Sequence, residues 1–179
     1  MIKILRAPIE ICRRSDRREA ERAAALSLVR DYFGQETRIS HRDDGAPYIE
    51  GRSEYVSVSH CRGECVVAVS DLPVGIDIES RRPRLLKIAS RFLTSREHRE
   101  VKSRGEMDDD ASIDLLLRYW TAKEAVFKCA SVPDLVISEI EIFPDESIDT
   151  AYALTRDHRF RVTYSPGESG NLIALAERL

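Results

Sequence analysis

The sequence predicts an α+β fold on three observations. Two long helical stretches, 15–34 and 113–130, are joined by a basic region of shorter helices. Short β-branched, alternating runs fill the rest, and in the C-terminal third they follow one another without helices between them, which predicts antiparallel sheet. No low-complexity segment and no short-period repeat interrupts this pattern. With 179 residues and 42% hydrophobic content, the chain can bury a sizeable core.

Taken in order, "SDRREAERAAALSLVRDYFG" (15–34) reads as a helix with Ser15 or Asp16 as cap, arginine-rich first turns and a stop at Gly34. "DDGAPYIEG" (43–51) is turn-rich, and "YVSVSH" (55–60) alternates as a half-buried strand that ends at Ser59 and His60. "ECVVAVS" (64–70) and "VGIDIE" (74–79), joined by "DLP", read as a hairpin of adjacent strands. In the basic helical region that follows, "TSRE" (94–97) has the form of a capping box and opens a second short helix. The polar segment 104–112 is expected to be a mobile loop. From Ile113 a strong helix runs to the residues before Ser131-Val132-Pro133, and "VISEIEIF", "TAYALT", "FRVTYS" and "NLIALAER" complete the sheet.

Charge and cysteine content exclude several functions. A net charge of −3 argues against a protein that coats nucleic acid or an anionic membrane through its overall field, so any basic function is local. No apolar run approaches a membrane span, and "MIKILRAPIEICRR" lacks the layout of a signal peptide, so a cytoplasmic protein is expected. Cys12, Cys61, Cys65 and Cys129 are expected as reduced thiols. "HCRGEC" (60–65) has no evident fourth ligand for zinc, and His41, His98 and His158 read as solvated surface positions.

Two segments carry chemistry. On a strand, Asp77 and Glu79 of "VGIDIE" share one face while Ile76 and Ile78 take the other. Adjacent anions are tolerated either on a solvated face or around a divalent cation such as Mg²⁺, which prefers carboxylate oxygens, waters and substrate phosphates. In "WTAKEAVFK" (120–128), Glu124 and Lys128 are four positions apart and share a helix face, with Lys123 beside them. Alone this is an ordinary surface pair; combined with the paired carboxylates it makes a set able to hold a metal and neutralise phosphates.

At these residues the chain resembles the 4'-phosphopantetheinyl transferases of the surfactin-synthetase-activating type. "GIDIE" and "WTAKEAVFK" match that family's two defining motifs, and "GAPYIEG", "VSVSHCRGECVVAVS", "RFLTSRE" and "YSPGESGNLIALA" follow in the family's order, so the resemblance covers about residues 15–176. It implies two similar α+β halves, 1–75 and 76–179, forming a pseudo-dimer in one chain, with coenzyme A between them and a monomer sufficient. It implies that Asp77, Glu79 and Glu124 surround Mg²⁺, that Lys128 contacts the pyrophosphate and Lys123 helps position it, and that Ser59, His60, Arg17 and Arg22 hold the nucleotide and its 3'-phosphate. The implied reaction moves the phosphopantetheine arm from coenzyme A to a serine of an apo acyl or peptidyl carrier protein. Glu124 or Glu97 would accept the serine proton, a choice left open by the sequence.

The chain departs from the family in having Gly45-Ala46-Pro47 where Gly-Lys-Pro is usual, and in a shorter segment before the first helix. The basic strip 81–91 is a candidate docking face for an acidic carrier protein. The alternative reading is a non-catalytic member that binds coenzyme A or a carrier protein. Nucleic-acid binding through the arginines of 13–22 and 81–91 is disfavoured by net acidity and by the lack of an aromatic platform.

Overall fold

A computed structural model describes residues 1–10, 16–103 and 110–179. Among the described residues, ten strands form two antiparallel five-stranded sheets, and four α-helices cover them. The first sheet takes β1 (Lys3–Pro8), β2 (Ile39–His41), β3 (Pro47–Ile49), β4 (Tyr55–Cys61) and β5 (Glu64–Ser70) in the order β1-β5-β4-β3-β2. The second takes β6 (Val74–Glu79), β7 (Glu141–Pro144), β8 (Thr150–Leu154), β9 (Arg159–Pro166) and β10 (Leu172–Arg178) in the order β6-β10-β9-β8-β7. In both sheets the first strand lies against the last and the others follow in descending order, so the α+β expectation holds and one strand order is used twice.

Each sheet has its own helix layer. Helix α1 (Arg17–Phe33) buries Ala25 and Val29 against Cys65, Val67 and Val69 of β5. Helices α2 (Arg84–Phe92), α3 (Ser95–Ser103) and α4 (Asp110–Ala130) cover the second sheet, with α4 buried along most of its length. Between the sheets a third core joins Val66 and Ala68 of β5 to Val74, Ile76 and Ile78 of β6. β5 is thus apolar on both faces because one side meets α1 and the other meets the second sheet.

The expected hairpin of 64–70 with 74–79 does not form. β6 pairs with β10 of the second sheet, and the turn through Pro73 carries the chain from one sheet to the other. The sequence shows two apolar runs and a short turn; it does not show that β6 meets the first sheet through side chains. Ser57 and Ser59 of β4 accept the Ile76 and Ile78 N–H groups at 3.0 and 3.3 Å, so serine hydroxyls satisfy the free edge of β6. A second bridge is made by Glu64, whose buried carboxylate accepts from Glu168 N–H at 2.8 Å and from the Asn171 amide at 3.0 Å.

The capping box is present: Glu97 accepts the Thr94 N–H at 2.8 Å and Thr94 Oγ1 accepts the Glu97 N–H at 3.3 Å. Of the expected loop, 104–109 lies outside the described residues, and 110–112 is already the first turn of α4. "VISEIEIF" is a strand only from Glu141; Ile137–Glu139 forms a short 3-10 helix. Among the described residues no helix is long and apolar enough to cross a membrane.

Candidate active site

The site lies where β6 meets α4, and its first requirement is close approach. A Cβ on Gly75 would stand 1.9 Å from the Ala125 carbonyl oxygen, so only glycine lets the helix lie this near the strand. Alternation then puts Gly75, Asp77 and Glu79 on the helix side of β6 and Val74, Ile76 and Ile78 in the core between the sheets. On α4 the four-residue spacing aligns Trp120, Glu124 and Lys128 in one stripe facing them.

Asp77 is 5% exposed. Its Oδ1 accepts from the Ser59 hydroxyl at 2.7 Å and from Lys128 Nζ at 2.8 Å, while its buried Oδ2 has no hydrogen-bond partner among the described residues. Burial pushes its proton affinity up despite Lys128 and Ser59, and the Glu79 charge adds to the rise. Lys128 Nζ also donates to the Ile76 carbonyl at 3.1 Å. Glu79 is paired with Arg82 and receives Trp120 Nε1 at 3.4 Å, so the tryptophan of the helix motif orients a carboxylate of the strand motif. The carboxyl of Glu124 is pushed from 4.5 to about 7 by burial first, then by the Asp77 and Glu79 charges, with Lys128 opposing.

The charges of Asp77 and Glu79 therefore act on Glu124, and that of Glu79 acts on Asp77. Among the described residues, no three acidic, imidazole or thiol groups stand close enough to hold a metal ion as they are. Lys128 and Arg82 supply the counter-charge on Asp77 and Glu79. The donor set nevertheless fits a hard divalent cation, because all three groups are carboxylates and Asp77 presents an unpartnered buried oxygen.

Lys123 does not join this group. Its ammonium is 0% exposed on another side of α4, ion-paired at 2.7 Å with the equally buried Glu97 and donating to the Ile140 carbonyl. Glu97 has no capacity left for catalysis, since its carboxylate also caps α3 and accepts the Ile142 N–H at 2.8 Å. Both residues are structural here, and of the two candidate bases only Glu124 lies at the site. Ser59 does not line the neighbouring cleft; its buried hydroxyl donates to Asp77 and accepts from the Ile78 N–H.

Beside the carboxylates opens a cleft of about 1090 Å³ between α1, β2–β4 and the end of α4. Lys128, His60 and Arg22 line it, as does Ala46. Arg17 does not line it; its Nε is 2.6 Å from Glu21 Oε1. Arg18, Arg42 and Glu21 line the cleft and were missed, although Arg18 stands one helical turn before Arg22 in the arginine run and was legible there. Cys61, Cys65 and Cys129 are free and buried, with burial pushing the Cys61 thiol up to about 11, so "HCRGEC" is not a thiol site.

Comparison with known proteins bears on the same segments. The 4'-phosphopantetheinyl transferase superfamily model matches residues 73–175, from the start of β6 through most of β10. The chain is 29% identical to the 4'-phosphopantetheinyl transferase Sfp of Bacillus subtilis over 129 residues, 66% of this chain and 56% of that protein. It is also 29% identical to the 4'-phosphopantetheinyl transferase HetI of Nostoc sp. over 133 residues, 69% of this chain and 55% of the other. The chain thus spans about half the length of the curated relatives it matches. A solved structure, the holo-[acyl-carrier-protein] synthase (AcpS) of Thermotoga maritima, aligns with a TM-score of 0.47 and 19% identity over 60% of this chain and 62% of that one. The family match takes in more than half of the chain and contains both acidic segments of the site, and the chain belongs to the 4'-phosphopantetheinyl transferase superfamily.

Proposed function

We propose that this protein is a Mg²⁺-dependent 4'-phosphopantetheinyl transferase that moves the phosphopantetheine arm of coenzyme A to a serine of an apo acyl or peptidyl carrier protein. The observation that carries the reading is the buried Asp77, with its unpartnered oxygen, beside Glu124 and paired with Lys128, which also lines a cleft that Arg18, Arg22, Arg42 and His60 share. Asp77, Glu79 and Glu124 would hold the cation, which when bound offsets charge on the pyrophosphate oxygens. The two sheets are proposed to form two halves, 1–75 and 76–179, with coenzyme A in the cleft and a monomer sufficient. A cytoplasmic location fits these substrates.

In the transfer, the carrier serine Oγ forms a bond to the β-phosphorus of coenzyme A. The bond from that phosphorus to the bridging oxygen breaks, and 3',5'-ADP leaves. Glu124 takes the serine proton, since of the candidate bases it is the one that lies beside Asp77 and Lys128. Lys128 compensates phosphate charge, and His60, Arg22 and Arg18 face the nucleotide end. Ala46 brings no charge to that wall, and Arg42 and Arg18 provide basic groups in its place. The exposed Arg84, Lys87 and Arg91 of α2 offer an acidic carrier a complementary face.

The test is to incubate the protein with apo carrier proteins, coenzyme A and Mg²⁺ and to weigh the carrier by mass spectrometry. Addition of the arm that stops in EDTA is expected. A non-catalytic member would bind coenzyme A and leave the carrier unmodified.

A further inference from the structure

The wall of the cleft holds an acid that the reaction does not use. Glu21 lines the cleft, yet its side chain is only 8% exposed, and a carboxylate there repels a polyanionic ligand. One oxygen, Oε1, faces both Arg17 Nε at 2.6 Å and His60 Nδ1 at 3.3 Å. Arg17 and Glu21 are one turn apart on α1, whereas His60 comes from β4, so this carboxylate ties the helix to the strand at the point where the cleft opens.

We propose that Glu21 is a positioning residue for coenzyme A: it fixes the His60 ring so that Nε2 is the nitrogen presented to the 3'-phosphate, while Arg17 cancels the charge this device introduces. The inference rests on the proposed function. With Nδ1 facing the Glu21 carboxylate at 3.3 Å, Nε2 is the nitrogen left to a ligand; in the imidazolium form both nitrogens donate, one toward Glu21 and the other toward a phosphate oxygen, so one carboxylate sets the orientation of the ring. Arg17 is thereby assigned a role although it does not itself line the cleft. Its guanidinium is held more firmly protonated by the hydrogen bond and charge of Glu21, with a smaller contribution from Glu79.

Positioning and bare electrostatics predict opposite signs, which makes the proposal testable. If Glu21 were simply a charge in the wall, Glu21→Gln would strengthen binding of every phosphate ligand. If it positions His60, Glu21→Gln weakens coenzyme A binding by about tenfold, the size of one charge-assisted phosphate contact, and weakens dephospho-coenzyme A by less than about threefold. Calorimetric titration of the full chain with both nucleotides, for wild type, Glu21→Gln, His60→Ala and the double variant, reads this directly. The double variant is expected to bind no more weakly than His60→Ala. Should Glu21→Gln not fold, Glu21→Asp, which keeps the charge and shortens the reach, is expected to show the same selective loss. Wild-type or tighter coenzyme A binding by the Glu21 variants, alongside weak binding by His60→Ala, would overturn the positioning role and leave the nucleotide site standing. Unchanged binding by His60→Ala would overturn both.

Discussion

At Asp77 and Glu124, burial outweighs the neighbouring Lys128. Both carboxyls hold their protons more tightly than usual because they are desolvated, with the Glu79 charge adding at Asp77 and the Asp77 and Glu79 charges adding at Glu124, while Lys128 and, at Asp77, Ser59 oppose this. A consequence for stability follows from the sign. The Glu124 carboxyl titrates at about 7 in the folded chain against 4.5 ordinarily, so its contribution is fully present below about 4.5 and is lost as pH rises through about 7. In EDTA the melting temperature of the wild type is therefore expected to fall relative to Glu124→Gln between those values, by up to about 3 kcal/mol in stability. Melting curves that stay parallel across this range would show that Glu124 is not held as described. Mg²⁺ is expected to restore the wild type above pH 7, because it supplies the counter-charge that the deprotonated pair lacks.

At the scale of elements, α4 presents different chemistry on two sides. The stripe of Trp120, Glu124 and Lys128 faces β6, while Lys123 points into the second core and joins Glu97, the α3 cap and the backbone around β7. Lys123→Ala leaves Glu97 as an unpaired buried anion and is expected to cost about 3–5 kcal/mol, yet in whatever fraction folds the KM for coenzyme A should be that of the wild type. A Lys123→Ala protein that is stable but binds coenzyme A poorly would return this residue to the active site. Gly75→Ala tests the other side. Its methyl group has no room against the Ala125 carbonyl, so β6 and α4 must separate, at about 1–3 kcal/mol, with loss of activity beyond what stability explains. Wild-type kcat in that variant would mean that the close approach is not needed.

These elements also show how much was legible in the residues. Period-two alternation gave the side of β6 that carries Asp77 and Glu79, and the four-residue spacing gave the Glu124–Lys128 face, because both are local properties of the backbone. Lys123 and Glu97 were misplaced because their partners come from segments far apart in sequence: the pair joins α3 to α4 and reaches β7. No local pattern separates a lysine aimed at a phosphate from one aimed at a buried glutamate. Ser59 misled for the same reason, since a serine at a strand end gives no sign that another sheet will take its hydroxyl.

At the scale of the whole molecule, two sheets with one strand order meet along β4, β5 and β6, and the proposed catalytic residues lie on that seam. Ser59 of the first sheet holds Asp77 of the second, and Lys128 reaches the cleft whose other walls come from α1 and β2–β4. Neither sheet alone contains a complete site. This seam is proposed to perform the transfer, with Glu124 as base. The most direct measurement is the rate at which wild type and Glu124→Gln add the phosphopantetheine arm to one apo carrier protein under saturating coenzyme A and Mg²⁺. Steady addition by the wild type and a kcat at least ~10²-fold lower for the variant are expected, with both proteins folded. Near-normal turnover by Glu124→Gln, or no addition by the wild type, would contradict it.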